Sequence, residues 1–302
     1  MRFSSALSLL LFLFLAPVSS GGGAWVPAPG EGDLQLGFSR KTANTSWNAF
    51  GDAFNNTTTF EGQTVSHNHD FRYVYLSGEI GVVDRLSARF LVTHLNGLEG
   101  PRQHLEENNG WSDAWVGLKY GITRGSWPTA IAATVRTPIL YDLPGAYNRY
   151  LFDAEGNRRG VSPEWRGVLK HDYTVSYLVS HSFSDSRAWA SAEAGYTWRE
   201  GAPADQIPLS IELGLPVWRN LTMKATVNGV RSLGNDSPSR PDDRFRARPD
   251  FNFNDASMVR AGVALMVPVR GSMGVEVGYN QWLGGESARR YREPYVSLGY
   301  GF

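Results

Sequence analysis

The chain has no cysteine and no excess of charge: its 302 residues carry 29 Lys plus Arg against 29 Asp plus Glu. Without cysteine there is no disulfide framework, thiolate nucleophile, thiolate-bound zinc or lipidated N-terminal cysteine. The balanced charge removes the basic footprint of a nucleic-acid binder. Long apolar runs are also missing, and beyond the first residues nothing approaches the ~18 apolar residues of a membrane-spanning helix. What the chain has instead is aromatic side chains at 13%, with 10 Trp, and 33 glycines, well above the usual glycine share of ~7%. Such a composition is not disordered. The length suits two soluble domains of ~150 residues or one barrel.

One short apolar run, Leu9 to Ala16, follows Met1-Arg2 and leads into the small residues Val18-Ser19-Ser20. A positive start, a brief greasy stretch and a small-residue exit make a secretory signal peptide, so residues 1–20 read as a leader and 21–302 as one exported domain.

Past it, a unit of about ten residues, alternately apolar and polar, recurs between turns rich in Gly, Asp, Ser, Pro or Asn. This period of two predicts strands at 33–40, 71–81, 86–95, 112–121, 129–139, 170–182, 188–198, 207–217, 221–232, 257–268, 273–283 and 293–302. Every second connection is short: Val83-Asp84-Arg85, Thr123-Arg124-Gly125, Ser184-Asp185-Ser186, Trp218-Arg219-Asn220 and Val269-Arg270-Gly271. The longest of the others are polar segments at 41–70, 96–111, 140–169 and 233–256. Short periplasmic turns alternating with long extracellular loops are the asymmetry of outer-membrane barrels. On this reading residues 21–31 are a periplasmic lead-in.

The faces point the same way. Leu209, Ile211, Leu213 and Leu215 alternate with Ser210, Glu212 and Gly214, and Met273, Val275, Val277 and Tyr279 alternate with Gly274, Glu276, Gly278 and Asn280. Extended to the other strands, the alternation puts Glu79, Arg89, Lys119, Arg136, Asp172, Glu193, Glu212, Lys224, Arg260 and Glu276 opposite the apolar face. In a barrel these line the lumen, with pairs such as Glu193 with Lys224 or Glu212 with Arg260. A soluble sandwich also has one polar face, so the strand ends must decide. Tyr73, Tyr75, Trp111, Trp115, Tyr120, Tyr173, Tyr196, Trp198, Trp218, Tyr279 and Trp282 cluster there, as expected of rings at the lipid headgroup level. Val296, Leu298, Tyr300 and Phe302 alternate with Ser297, Gly299 and Gly301 up to the last residue. That ending resembles the C-terminal assembly signal of Gram-negative outer-membrane proteins, read by the barrel assembly machinery.

Gly23-Ala24-Trp25, then Pro27, Pro29, Gly30, Glu31 and Gly32 ahead of the first strand, resembles the start of outer-membrane proteins in the MetA-pathway-of-phenol-degradation family, which includes XagA-like proteins. The resemblance implies a monomeric barrel that moves small, often hydrophobic compounds, and it brings no catalytic residues.

Candidate chemistry is sparse. His67-Asn68-His69-Asp70 places two imidazoles on one face of an extended segment beside a carboxylate, a pattern that suits a metal or a base but is commoner in a solvated loop. His171 and Asp172 are strand neighbours that point to opposite faces. No Gly-x-Ser-x-Gly elbow or His-Glu-x-x-His helix occurs, and neither barrel phospholipases nor barrel proteases are matched. Arg240, Arg244, Arg246 and Arg248, interleaved with Asp242, Asp243 and Asp250, fit a mixed-charge loop better than a polysaccharide site. The expectation is therefore an all-β, closed antiparallel transmembrane barrel of about 12 strands. It would sit in the bacterial outer membrane among membrane lipid and lipopolysaccharide, with no cofactor and no enzymatic role, and pass small solutes passively. Two alternatives remain open: an envelope-structural or surface-interaction barrel binding polysaccharide or protein through its long loops, and a barrel hydrolase.

Overall fold

The structure, a computed structural model, describes residues 23–60, 63–101, 106–138, 171–183, 188–201, 204–235 and 256–302. The expected leader at 1–20, the arginines at 240–248, the loop at 140–169 and most of the loop at 233–256 lie outside the described residues.

In chain order the strands are β1 (Gly32–Ala43), β2 (Thr45–Trp47), β3 (Ala53–Asn55), β4 (Thr57–Phe60), β5 (Gln63–Val83), β6 (Leu86–Pro101), β7 (Glu106–Trp111), β8 (Ala114–Thr123) and β9 (Thr129–Thr137). They continue as β10 (Asp172–Phe183), β11 (Ala188–Arg199), β12 (Gln206–Trp218), β13 (Leu221–Ser232), β14 (Ser257–Arg270), β15 (Met273–Glu286), β16 (Ala288–Arg289) and β17 (Arg292–Gly301). Twelve of these form the closed antiparallel ring: β1, β5, β6, β8 to β15 and β17. The remaining five are short pieces above it.

Closure follows from the hydrogen-bonding demand of lipid, where every unpaired backbone group is costly and only a sheet without edges is tolerated. Here β1 pairs with β5 on one side and β17 on the other, in a register that sets Leu34, Leu36 and Phe38 against Tyr300, Leu298 and Val296. Reciprocal backbone bonds between Gly32 and Phe302, 2.9 and 3.0 Å, complete the seam at the last residue.

Four turns among the described residues lie at the seam end, after β5, β8, β12 and β14, and their chemistry suits tight reversal. Gly271 follows β14 with φ of 57°, a left-handed conformation that costs glycine nothing. Arg85 holds φ of 65° in the turn after β5 without that freedom. At the other end the segments read as polar loops carry more strand than expected. β5 begins at Gln63 and β6 runs to Pro101, paired as far as His67 with Pro101, while β2 pairs with β3 on one side and β16 on the other. Thr, Val, Gln and Asn at 57–69 sustain the ladder, although without an alternating apolar row the sequence pattern does not reveal it.

Candidate functional site

The two faces of the ring differ in kind. Outside, Leu209 and Ile211 are 51% and 54% exposed, and large apolar side chains are similarly exposed on most ring strands, from Leu36 and Val74 on the seam side to Val263 and Leu265 on β14. In water such a continuous apolar surface would far exceed the few hundred Å² that soluble monomers expose. It needs acyl chains. Inside stand Ser, Thr, Gly and charged residues, many of them buried, including Glu79, Lys119, Asp172, Lys224 and Glu276.

The interior charges are held by the register. Glu79 on β5 and Lys119 on β8 meet at 2.8 Å across β6, whose Ser87 hydroxyl donates to the same carboxylate. Lys224 on β13 reaches Glu276 on β15 at 2.6 Å across β14, where Ala264 leaves room, and the Tyr295 hydroxyl donates to Glu276 at 2.7 Å. Nearer the loop end, Arg136 donates to Asp113 at 2.7 Å and lies 3.7 Å from Asp172, which also contacts Arg199 at 3.4 Å. Arg89 faces a cavity of ≈ 230 Å³ shared with Asp33, Gln35, Leu91, Trp115 and Thr134.

Two expected pairings give way. The register sets Lys224 level with Gly214 and Trp189, and Glu193 level with Ser210 and Asn228, two inward positions away. Arg260 contacts Glu293 at 3.6 Å, and Glu212 accepts from the Trp189 indole at 3.1 Å. Four aromatics expected at the headgroup level also turn inward. Tyr73 lies under the Lys41 ammonium, 4.5 Å from its ring centre, and Tyr75 shares its face. Trp115 lines the cavity, and Trp282 is 5% exposed against Trp47, Ala288, Met258 and Tyr291. Parity would have shown this: Tyr73 and Tyr75 are in phase with Glu79, Trp115 with Lys119, and Trp282 with Glu276. Trp111, Tyr120, Tyr173, Tyr196, Trp198, Trp218 and Tyr279 are exposed.

The segment ahead of β1 is the largest departure. Residues 23–31, expected as a periplasmic lead-in, run along the inner wall. Lys119 donates to the Gly23 carbonyl at 3.1 Å and the Ala24 N–H donates to Ser180 Oγ at 2.7 Å. Ala24 packs on Ala130, Ala132 and Leu178, all 2% exposed or less. Below, Gly30 and Glu31 bond the backbone of Gly81 at 2.9 Å. A side chain at Gly81 would collide with the Ala28 carbonyl, so glycine there is what lets the segment lie against the wall.

His69 is buried against Phe71, with ring centres 6.4 Å apart, and the side chain of His67 lies outside the described residues. The His171 backbone N–H donates to Glu200 while Asp172 turns inward. Among the described residues no three His, Asp or Glu side chains converge as metal ligands.

No family model and no curated protein matches the chain. Among solved structures, the COG4313 outer membrane channel from Pseudomonas putida F1 superposes with a TM-score of 0.63 at 10% identity, covering 93% of this chain and 98% of that one. The fold is that of an outer-membrane β-barrel. Two further barrels align more loosely, with 9% and 8% identity and TM-scores of 0.47 and 0.48. They are the translocator domain of autotransporter NalP from Neisseria meningitidis, with 98% of this chain and 96% of that one covered, and the NanC porin, with 89% and 98% covered.

Proposed function

We propose that this barrel is a passive outer-membrane channel for small solutes, including hydrophobic and aromatic ones, of the MetA-pathway-of-phenol-degradation and XagA-like kind, with no covalent chemistry of its own. The observation that carries the reading is the interior itself. A twelve-stranded barrel is wider than the eight-stranded ones that side chains fill and narrower than sixteen-stranded porins, so inward side chains set what passes. Here those side chains pair off along the wall, as Glu79 does with Lys119 and Glu276 with Lys224, rather than presenting one sign of charge. Such a lining selects by size and polarity. The cavity beside Trp115 and Leu91, with Arg89 and Gln35 at its polar side, suits a small ring carrying a polar group. The Pseudomonas putida barrel that shares this fold is an outer membrane channel, which supports the same role here.

In this reading Glu79, Arg89, Lys119, Arg136, Asp172, Glu193, Glu212, Lys224, Arg260 and Glu276 line the path. Residues 23–31 narrow its periplasmic half, and Val296, Leu298, Tyr300 and Phe302 address the chain to the barrel assembly machinery. Reconstitution of folded protein into a planar bilayer tests the channel role: discrete conductance steps are expected, and neither conductance nor solute flux from a folded sample would reject it.

A further inference from the structure

Three arginines stand on the outer surface of adjacent strands within one outward position of each other in height. Arg40 on β1 is the cross-strand partner of Arg72 on β5, and Arg292 on β17 is the partner of Thr42, one outward position above Arg40. All three are exposed. Like charges directly opposite on a sheet are unfavourable, and only Arg40 is compensated, by two bonds to Asp70 at 2.6 and 2.9 Å. Among the described residues neither Arg72 nor Arg292 has a polar partner.

Their height is informative. From Phe302 up to Arg292, at ~3.4 Å per residue and a tilt of ~40°, β17 climbs about 25 Å, the height of an apolar belt. Directly below Arg40 and Arg72 on the same outward faces lie Phe38 and Val74, and below Arg292, past Pro294, lies Val296; the three are 45%, 48% and 42% exposed. A guanidinium row at the top edge of an acyl-facing surface is where a lipid phosphate sits, and the planar fork of arginine matches phosphate oxygens two at a time.

We infer that Arg72 and Arg292, with Arg40 beside them, form a binding site for the phosphate of an outer-leaflet glycolipid whose acyl chains run down the Phe38, Val74 and Val296 face. The site rests on the outer-membrane placement proposed above but not on the channel role.

The full-length chain in nanodiscs, with Arg72→Gln/Arg292→Gln beside it and Arg219→Gln in a seam-end turn as control, decides the matter by lipid retention in native mass spectrometry. Bisphosphorylated lipid A should be retained about tenfold over its dephosphorylated form by the wild type and the control, and the double variant should lose that preference. Equal retention of both lipids by the wild type, or an undiminished preference in the double variant, overturns the site. Displacement of the lipid by inorganic phosphate alone at low millimolar concentration overturns its assignment to a lipid. Heat-modifiable migration on gels confirms that each variant is folded, and unchanged conductance in the double variant separates this result from the fate of the channel reading.

Discussion

Glu79 and Lys119 show what a single inward charge does in this wall. Their side chains are 3% and 2% exposed and touch at 2.8 Å, so losing one partner strands the other in a poorly hydrated place. Lys119→Met should destabilise the barrel by about 3 kcal/mol, and Glu79→Gln added to it should restore much of the loss, because a buried pair is costly chiefly when broken. Urea unfolding in detergent micelles measures both. Alternation made the direction of these two side chains legible in the sequence. Their partnership was not, because Lys119 meets Glu79 across a third strand and only the register fixes which inward positions share a level. A second residue, Asp205, sits outside the spanning strands just before β12. Burial alone would push its carboxyl up, but the Tyr196 hydroxyl, the Arg199 N–H and the Asn235 amide bond it and hold it below the usual carboxylate range. A carboxyl depressed in the folded state adds stability that is present above its unfolded pKa and lost as pH falls through the lower, folded one. The tie between Asp205 and residues 233–235 should therefore survive mild acid. Protease protection at this tie should persist to a lower pH in the wild type than an ordinary carboxylate would allow, and Asp205→Ala should remove it at neutral pH.

At the scale of elements, the segment 23–31 matters most. Its Pro and Gly spacing carries no alternation, so the sequence offered no sign that it lies inside. The signal that it needs room, glycine at Gly81 and Gly121 on the inward face, is indistinguishable in a sequence from any other small lumen position. The contacts at Lys119 and Ser180 fasten one end and the Gly81 backbone the other. Deleting residues 23–30 should raise single-channel conductance about twofold or more, since passage is set by the narrowest cross-section; an unaltered conductance would mean that the segment does not constrict the path. The closing seam is the second such element. The backbone of Phe302 bonds Gly32 in both directions, and its ring stacks on Tyr300 at 6.1 Å. Removing Phe302 should reduce the heat-modifiable, folded fraction recovered from outer membranes, with the unfolded chain accumulating instead.

For the whole molecule, one period of two residues accounts for the architecture: it gives the strand count, the two faces and the closure. The twelve ring strands lie within a few residues of the segments that the alternation predicts, apart from the upward extensions of β5 and β6, while β2, β3, β4, β7 and β16 escape the pattern because they are short and polar. What the pattern cannot convey is which inward residues meet, since that depends on stagger around the ring and on bulges such as the one at Val259 and Arg260. Because the chain has no cysteine, single cysteines report the two faces without background. Placed one at a time at Leu209, Ser210 and Ile211 in the membrane-embedded protein, they should divide by parity. Fluorophores at Leu209→Cys and Ile211→Cys are expected to be quenched only by acyl-chain quenchers, while Ser210→Cys reacts with a membrane-impermeant thiol reagent from water. Aqueous labelling at Leu209→Cys and Ile211→Cys, with lipid-phase quenching at Ser210→Cys, would contradict the account.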